Sequence, residues 1–143
     1  MSASSGIRTT GTVVGVGTDL VAIDRLAAAL ERRPALAQRL FTPVELATTS
    51  TGTVAGRTRS LAARLAGKEA VMKSLGQGMG QVGFREIEIT GGRGVAPVVA
   101  LHGRAARAAE ALEVTSVMVS MTHDAGLASA TAVASRRCAC DRS

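Results

Sequence analysis

The chain has 143 residues and a formal net charge of +6 at pH 7, with no tryptophan or tyrosine. This length predicts one domain, whose core must be aliphatic. The absence of an apolar run of about 18 residues argues against a membrane span, and the absence of a signal-peptide core predicts a cytoplasmic protein. The charge predicts an acidic partner, but scattered arginines and few aromatic residues argue against nucleic acid.

The N-terminal part predicts one strand followed by helices. Residues 12–17 form an apolar run typical of a buried strand, and Asp19 follows at its carboxyl end. Asp24 is expected to cap a helix that extends to about Arg33, because its side chain can accept from the first free N–H groups. Pro34 then interrupts the chain, and a short helical segment follows at residues 35–40.

A capping box marks the next helix, with Thr42 at the N-cap and Glu45 at the third helical position. Residues 48–60 are rich in Gly, Ser and Thr and predict a loop. A long helix is predicted at residues 61–75, and it ends at Gly76, which suits the left-handed conformation after a helix. Gly76 also begins a glycine-rich segment that is either mobile or close to another group.

The C-terminal part predicts two hairpins separated by a helix. Residues 84–90 and 95–101 have strand character and flank a glycine-rich turn. Residues 103–113 predict a helix rich in alanine and arginine. Residues 116–122 and 127–133 predict the second hairpin. The order of elements indicates a mixed α+β domain.

The predicted domain spans residues 12–135, with flexible tails at 1–11 and 136–143. Cys138 and Cys140 lie in the second tail. Cysteines separated by a single residue seldom satisfy disulfide geometry, and two thiols without a histidine do not make a zinc site. We therefore expect neither feature there.

Both lysines of the chain, Lys68 and Lys73, lie in the long helix, while all other cationic residues are arginine. A retained lysine suggests that a compact ammonium is needed and that a guanidinium would not fit. Glu69 and Lys73 are four residues apart, so they are either a solvated pair or part of a site. Lys68 projects along the most apolar stripe, where it must snorkel, pair with a carboxylate or meet an anionic ligand.

Two further residues have both structural and functional interpretations. Asp19 alone would be a cap or a turn former, but Asp19 and Glu69 together could bind Mg²⁺, which commonly uses one or two carboxylates plus phosphate oxygens. His123 alone would be a structural histidine. The glycines at Gly15 and Gly67 match neither a dinucleotide-binding turn nor a P-loop.

Five motifs follow one another along the chain. They are Gly15-Val-Gly-Thr-Asp-Leu-Val, Phe41-Thr-Pro-Val-Glu-Leu, Leu61-Ala-Ala-Arg-Leu-Ala-Gly-Lys-Glu-Ala-Val-Met-Lys, Ile87-Glu-Ile and Val119-Ser-Met-Thr-His-Asp. In this order they resemble the holo-[acyl-carrier-protein] synthase family of 4′-phosphopantetheinyl transferases. The resemblance extends over roughly residues 15–133, and the arginine and alanine bias is similar to the actinobacterial members.

The resemblance implies a curved antiparallel sheet packed on a long helix, in a homotrimer with sites between subunits. The implied reaction moves the phosphopantetheine arm of coenzyme A to a serine of an apo acyl carrier protein and releases 3′,5′-ADP, with Mg²⁺ as cofactor. The competing hypothesis is a non-catalytic basic module that binds an acidic protein or RNA. Two carboxylates in the site distinguish the hypotheses, because a polyanion binder has no use for them.

Residue roles follow from the same resemblance. Asp19 and Glu69 match the metal-binding acidic residues, and Lys73 matches the lysine near the phosphates. Glu69 and Lys73 are the predicted catalytic residues, with Glu69 as candidate acceptor of the serine proton. His123 matches a histidine that contacts coenzyme A from a neighbouring subunit, and Arg25 matches a residue that holds the carrier protein.

Three further residues are predicted to bind coenzyme A: Arg64, Lys68 and Gly76. Arg64 matches the arginine before the Lys-Glu-Ala motif, and the other two flank the predicted catalytic residues. The sequence also departs from the family. Leu65 stands where an aromatic residue is usual, and Gly67 stands where alanine is common. Gly67 is expected to weaken the helix by up to ~1 kcal/mol relative to alanine.

Overall fold

The computed structural model describes residues 11–92 and 94–139. Five strands and five helices are arranged along these ranges, with one 3₁₀ turn at Phe84–Glu86. They are β1 Thr12–Ala22, α1 Ile23–Arg32, α2 Leu36–Leu40, α3 Pro43–Thr48, α4 Val54–Ser74, β2 Ile87–Gly92, β3 Val95–Leu101, α5 Gly103–Ala111, β4 Ser116–Asp124 and β5 Leu127–Arg136.

The strands form two antiparallel sheets. One has the order β1–β5–β4, and the other is the hairpin β2–β3. Side chains alternate between the faces of a strand. On β5 the buried face consists entirely of alanines, which lets α4 lie close to the sheet. The mixed fold with antiparallel sheets and both predicted hairpins is confirmed, and β1 and β5 bound it at Thr12 and Arg136.

The core is built around α4, whose side chains are buried over most of its length. One cluster lies between α4, the hairpin and the three-stranded sheet, and a second lies between α4, α1 and Phe41. Nearly all the side chains in these two clusters are aliphatic, as the composition predicts. No helix in the described ranges is long and apolar enough to cross a membrane.

Two predicted boundaries are wrong in ways that matter for the site. Helix α4 begins at Val54 rather than Leu61, so its first two turns lie in the segment predicted to be a loop. The Thr53 hydroxyl caps this part of the helix by accepting a hydrogen bond from the Gly56 N–H. Strand β1 continues to Ala22, since β5 pairs with it throughout. Asp19 therefore lies within a strand instead of after one.

Three local expectations also need correction. Helix α1 begins at Ile23, so Asp24 lies in its first turn and caps nothing. Residues 84–86 form a 3₁₀ turn rather than strand. Cys138 is disulfide-bonded, and no cysteine in the described part of the chain is free. Of the predicted tails at 1–11 and 136–143, residues 1–10 and 140–143 lie outside the described residues, and Arg136 belongs to β5.

Two predicted helix ends are confirmed. Thr42 and Glu45 form the reciprocal capping box of α3, with Thr42 N–H donating to Glu45 Oε2 at 2.8 Å. Gly76 follows α4 with a φ of 67°, in the left-handed region that glycine tolerates.

Candidate active site

Strand β1 and helix α4 bring together three of the predicted site residues. Asp19 lies on the face of β1 that meets α4, and Glu69 and Lys73 lie one turn apart on the facing side of the helix. A cavity of about 350 Å³ opens beside them. Its lining is Asp19, Glu69, Met72, Lys73, Gln77, Gly78 and Met79.

Lys73 is the cation of this site. Its ammonium donates to the Thr18 carbonyl at 2.8 Å and to Asp19 Oδ1 at 3.0 Å. The Lys73 side chain is 56% exposed and that of Asp19 only 14%. The lysine therefore has room to leave Asp19 for an incoming anion, while the aspartate stays fixed in the strand.

Glu69 and Asp19 form a close pair of acids. The pKa of Glu69 is raised to about 7, mainly by burial and also by the hydrogen bond with Asp19 and the negative charge of that residue, while Lys73 opposes the shift. Asp19 Oδ2 is buried and has no hydrogen-bond partner. When both acids are ionised neither can donate to the other, so this oxygen needs a shared proton, a cation or a donor from outside the chain.

These residues fit the Mg²⁺ that the resemblance implies. Asp19 offers a buried oxygen without a partner, and Glu69 offers a second carboxylate next to it. Mg²⁺ usually takes one or two carboxylates and completes its shell with water and substrate phosphates. No group of three or more His, Cys, Asp or Glu that could hold a metal occurs in residues 11–92 and 94–139. Phosphate or water oxygens would have to supply the remaining ligands.

Lys68 is a structural residue, which contradicts its prediction as a coenzyme A ligand. Its side chain is 0% exposed, and its ammonium lies 2.7 Å from Glu45 Oε2. It also donates to the carbonyls of Phe84 and Ile87 at 2.8 and 2.7 Å. All three donors are used, so no ligand can reach it. Burial lowers the pKa of Lys68, and Glu45 opposes that shift.

Arg64 is buried as well, which argues against its predicted role as a coenzyme A ligand. It donates through Nε to the Ile89 carbonyl at 3.2 Å and through Nη2 to the Gly91 carbonyl at 2.9 Å. Its Nη1 donates to Ser60 Oγ at 2.6 Å. These contacts occupy its guanidinium within the protein.

Together, Arg64, Lys68 and Glu45 cap the open edge of β2. That edge faces away from β3, and no strand in the described part of the chain pairs with it. The two cations satisfy its carbonyls, and Glu45 Oε1 accepts from the Ile89 N–H at 2.8 Å. We refer to these three side chains as the edge cap. The edge cap fixes α4 to the hairpin on the side of the helix opposite β1.

His123 does not join this site within one chain. It lies on β4, separated from Asp19 by the whole of β5, and lines another cavity of about 860 Å³. Asp24 and Arg59 line the same cavity. Gly76 has open space around it, and Arg25 is exposed on α1. The structure leaves the predicted roles of His123, Gly76 and Arg25 untested.

Sequence reasoning missed part of the site. Glu45 was expected only as a cap, although it is also the buried partner of Lys68. The apolar position of Lys68 signalled that a carboxylate was needed but not which one. Gln77 and Met79 line the cavity, and their glycine-rich surroundings were the only signal.

Known relatives match this chain along nearly their whole length. A holo-[acyl-carrier-protein] synthase of Beutenbergia cavernae is 45% identical over 124 residues, covering 87% of this chain and 99% of that protein. One from Streptomyces coelicolor is 43% identical over 122 residues, covering 85% and 97%. This agreement in length means that no large part of either relative lacks a counterpart here.

A solved structure agrees with these sequence matches. The Helicobacter pylori holo-[acyl-carrier-protein] synthase in complex with coenzyme A has a TM-score of 0.71 and 28% identity, covering 83% of this chain and 98% of its own. The family model described as the 4′-phosphopantetheinyl transferase superfamily matches residues 15–132. The resemblance read from five motifs is thereby confirmed, and the chain belongs to the 4′-phosphopantetheinyl transferase superfamily.

Proposed function

We propose that this chain is a holo-[acyl-carrier-protein] synthase. It transfers the 4′-phosphopantetheine arm of coenzyme A to a serine of an apo acyl carrier protein and releases 3′,5′-ADP. The observation that carries the proposal is the pairing of Asp19, with its buried unpartnered oxygen, and Glu69 beside the Lys73 ammonium. A non-catalytic polyanion-binding module would gain nothing from two adjacent carboxylates.

The site residues have different roles in the proposed reaction. The serine Oγ bonds to the β-phosphorus of coenzyme A, the bond from that phosphorus to the bridging oxygen breaks, and 3′,5′-ADP leaves. Glu69 accepts the serine proton, directly or through water. Lys73 stabilises negative charge on the phosphate oxygens. Asp19 and Glu69 would hold Mg²⁺, which when bound supplies charge neutralisation at the pyrophosphate.

The remaining predicted contacts surround this centre. Gly76 begins the glycine-rich segment that leads to the cavity-lining residues Gln77 and Met79, and its lack of a side chain leaves space for coenzyme A. Arg25 lies on the exposed face of α1, near further exposed arginines on and after this helix. This basic surface suits an acidic carrier protein.

We also propose that three copies form a ring with sites between subunits. The outer face of the β1–β5–β4 sheet carries a row of apolar side chains, Val16, Val133 and Met118, that pair directly across the strands. Val16 is 57% exposed and Met118 51% exposed in the single chain. A second copy of this chain is the occupant we assign, because His123 and Asp19 line separate cavities of one chain and a neighbouring copy could bring them together.

Intact mass spectrometry tests the reaction itself. An apo acyl carrier protein would be incubated with the enzyme, Mg²⁺ and coenzyme A. We expect its mass to rise by one phosphopantetheine group, and we expect no rise with a carrier protein whose acceptor serine is replaced by alanine. An unchanged mass in the complete reaction would contradict the proposed activity.

The pH should control Mg²⁺ binding through Glu69. The pKa of Glu69 is about 7, so its carboxyl is mostly protonated below pH 7 and protons compete with the metal there. We expect affinity for Mg²⁺ to rise by up to about tenfold per pH unit below pH 7 and to level off above it. Calorimetry with coenzyme A at pH 6, 7 and 8 measures this, and Glu69→Gln should remove the dependence. A wild-type affinity that does not vary with pH would contradict the assignment.

Reversing the charge of Arg25 should weaken capture of the carrier protein. We expect Arg25→Glu to raise KM for the carrier protein about tenfold or more and to leave KM for coenzyme A nearly unchanged, because α1 lies outside the catalytic cavity. Arg107→Glu, an exposed charge reversal on α5, is the matched control. Equal effects on the two KM values, or equal effects of the two variants, would place the carrier protein elsewhere.

Mixing two inactive variants should restore activity if sites are shared. Asp19→Ala removes one half of every site, and His123→Ala removes the other half. In any ring that contains both variants, about one site in three pairs an intact Asp19 with an intact His123. Co-expressed variants should therefore exceed the mean of their separate activities. A mixture that shows only this mean, with subunit exchange confirmed by mass, would contradict shared sites.

A further inference from the structure

Strand β1 and helix α4 lie close together at two glycines, Gly15 and Gly17. A Cβ atom built on Gly17 would lie 1.9 Å from the Ala70 carbonyl oxygen and 2.8 Å from Lys73 Cβ. Real Cβ atoms essentially never come within 3.0 Å of such atoms. Gly17 does not have the positive φ that would itself call for glycine. The close approach alone therefore explains why this position has no side chain.

The contact lies between the two halves of the catalytic site. Gly17 precedes Asp19 by two residues and shares its face of β1. Ala70 directly follows Glu69, and a Gly17 side chain would also meet Lys73 and the backbone nitrogen of Ser74. The distance across this contact therefore sets the distance between the Asp19 and Glu69 carboxylates.

Helix α4 cannot retreat to admit a side chain, because the edge cap holds its opposite side. Lys68 and Arg64 are buried there and bound to Glu45 and the carbonyls of β2. A methyl group at Gly17 would therefore displace β1, by at least about 1 Å if its contact with Ala70 is to become tolerable. A shift of this size is enough to disrupt a site that depends on geometry.

We propose that Gly17 is a positioning residue, whose missing side chain sets the separation of Asp19 and Glu69 and thereby the affinity of the site for Mg²⁺. This inference rests on the proposed function, since it assumes that the two carboxylates hold the metal. Gly17 touches neither the metal nor coenzyme A. It acts through the spacing of the two backbones that carry the ligands.

The first test is Gly17→Ala, with Mn²⁺ as the probe. Electron paramagnetic resonance would measure binding of Mn²⁺ in the presence of coenzyme A and without carrier protein, so the readout is independent of turnover. We expect Mn²⁺ affinity to fall at least tenfold. Gly67→Ala is the matched control, because its Cβ would meet only the flexible ends of Ile89 and Met121, at 2.7 and 3.0 Å. That variant should bind Mn²⁺ as the wild type does.

A second variant tests spacing rather than general damage. Asp19→Glu lengthens the carboxylate arm by one carbon–carbon bond, about 1.5 Å, which is close to the displacement expected from Gly17→Ala. Alone, Asp19→Glu should weaken Mn²⁺ binding, because the longer arm overreaches. Combined with Gly17→Ala, it should bind Mn²⁺ more tightly than Gly17→Ala does alone.

Each outcome bears on the inference. It is overturned if Gly17→Ala binds Mn²⁺ within twofold of wild type, or if Asp19→Glu weakens the Gly17→Ala variant further. If Gly17→Ala does not fold, Asp19→Glu alone decides: weaker binding supports a fixed spacing, and wild-type binding overturns it. A wild-type protein that binds no Mn²⁺ would overturn the metal site and this inference together, whereas transfer measured by mass would still test the activity.

Discussion

Replacing Glu69 by glutamine should reduce phosphopantetheine transfer by about 10³-fold or more. The change keeps the size of the side chain but removes both a metal-binding charge and the proposed acceptor of the serine proton. Loss of a general base alone costs about 10²- to 10⁴-fold in rate. Single-turnover transfer to an apo carrier protein, followed by intact mass, measures the effect.

The fold of the Glu69→Gln variant should survive, and above pH 7 it should be more stable than the wild type. A carboxyl whose pKa rises to about 7 in the folded protein holds its proton more tightly than in the unfolded chain. The protonated Glu69 carboxyl therefore stabilises the folded protein fully at pH values below the pKa that it has in the unfolded chain. This contribution is lost as the pH rises through its folded-state pKa of about 7. Glu110→Gln, on the exposed side of α5, is the control for both measurements. Near-normal transfer by Glu69→Gln would contradict both proposed roles of Glu69.

The largest loss of stability should come from Glu45→Gln, far from the catalytic cavity. Glu45 and Lys68 are both fully buried, and among the described residues the ammonium has no other charged partner within ion-pair distance. Removing one member of a buried pair typically costs about 3–5 kcal/mol, because the other charge remains without compensation. We therefore expect the free energy of unfolding to fall by about 3 kcal/mol or more, as measured by urea denaturation.

Two comparisons show whether this loss comes from the ion pair. Glu31→Gln removes an exposed carboxylate from α1 and should change the stability by less than about 0.5 kcal/mol. The double variant Glu45→Gln with Lys68→Met removes the stranded charge and should recover part of the stability. If Glu45→Gln alone is as stable as the wild type, the ammonium must find another partner.

Most of the secondary structure could be predicted because its signals are local. The Thr42 capping box and the hairpins depend on residues that lie close together in the sequence, and each has a distinctive pattern. The start of α4 could not be predicted, since residues 54–60 have loop composition and are helical because Thr53 caps them and they extend a helix that is largely buried from Leu61 onwards. Local propensity fails where long-range contacts decide.

The candidate site was predicted unevenly for a related reason. Asp19, Glu69 and Lys73 were identified because the motifs fix their order, and the structure brings them together. Lys68 and Arg64 belong to the same motif, yet both point away from the cavity. A motif records that residue types recur together but not which side of a helix serves catalysis. Only the packing of the β2 edge against α4 distinguishes the two lysines.

The edge cap also affects how copies of this chain can associate. An uncovered strand edge presents N–H and C=O groups that can pair with a strand of another molecule, which is a common route to aggregation. On β2 these groups are already bound to Glu45, Arg64 and Lys68, within the buried interior. An incoming strand would have to displace an ion pair that water cannot reach. This edge is therefore closed to intermolecular pairing of strands, so that copies of the chain must associate through other surfaces.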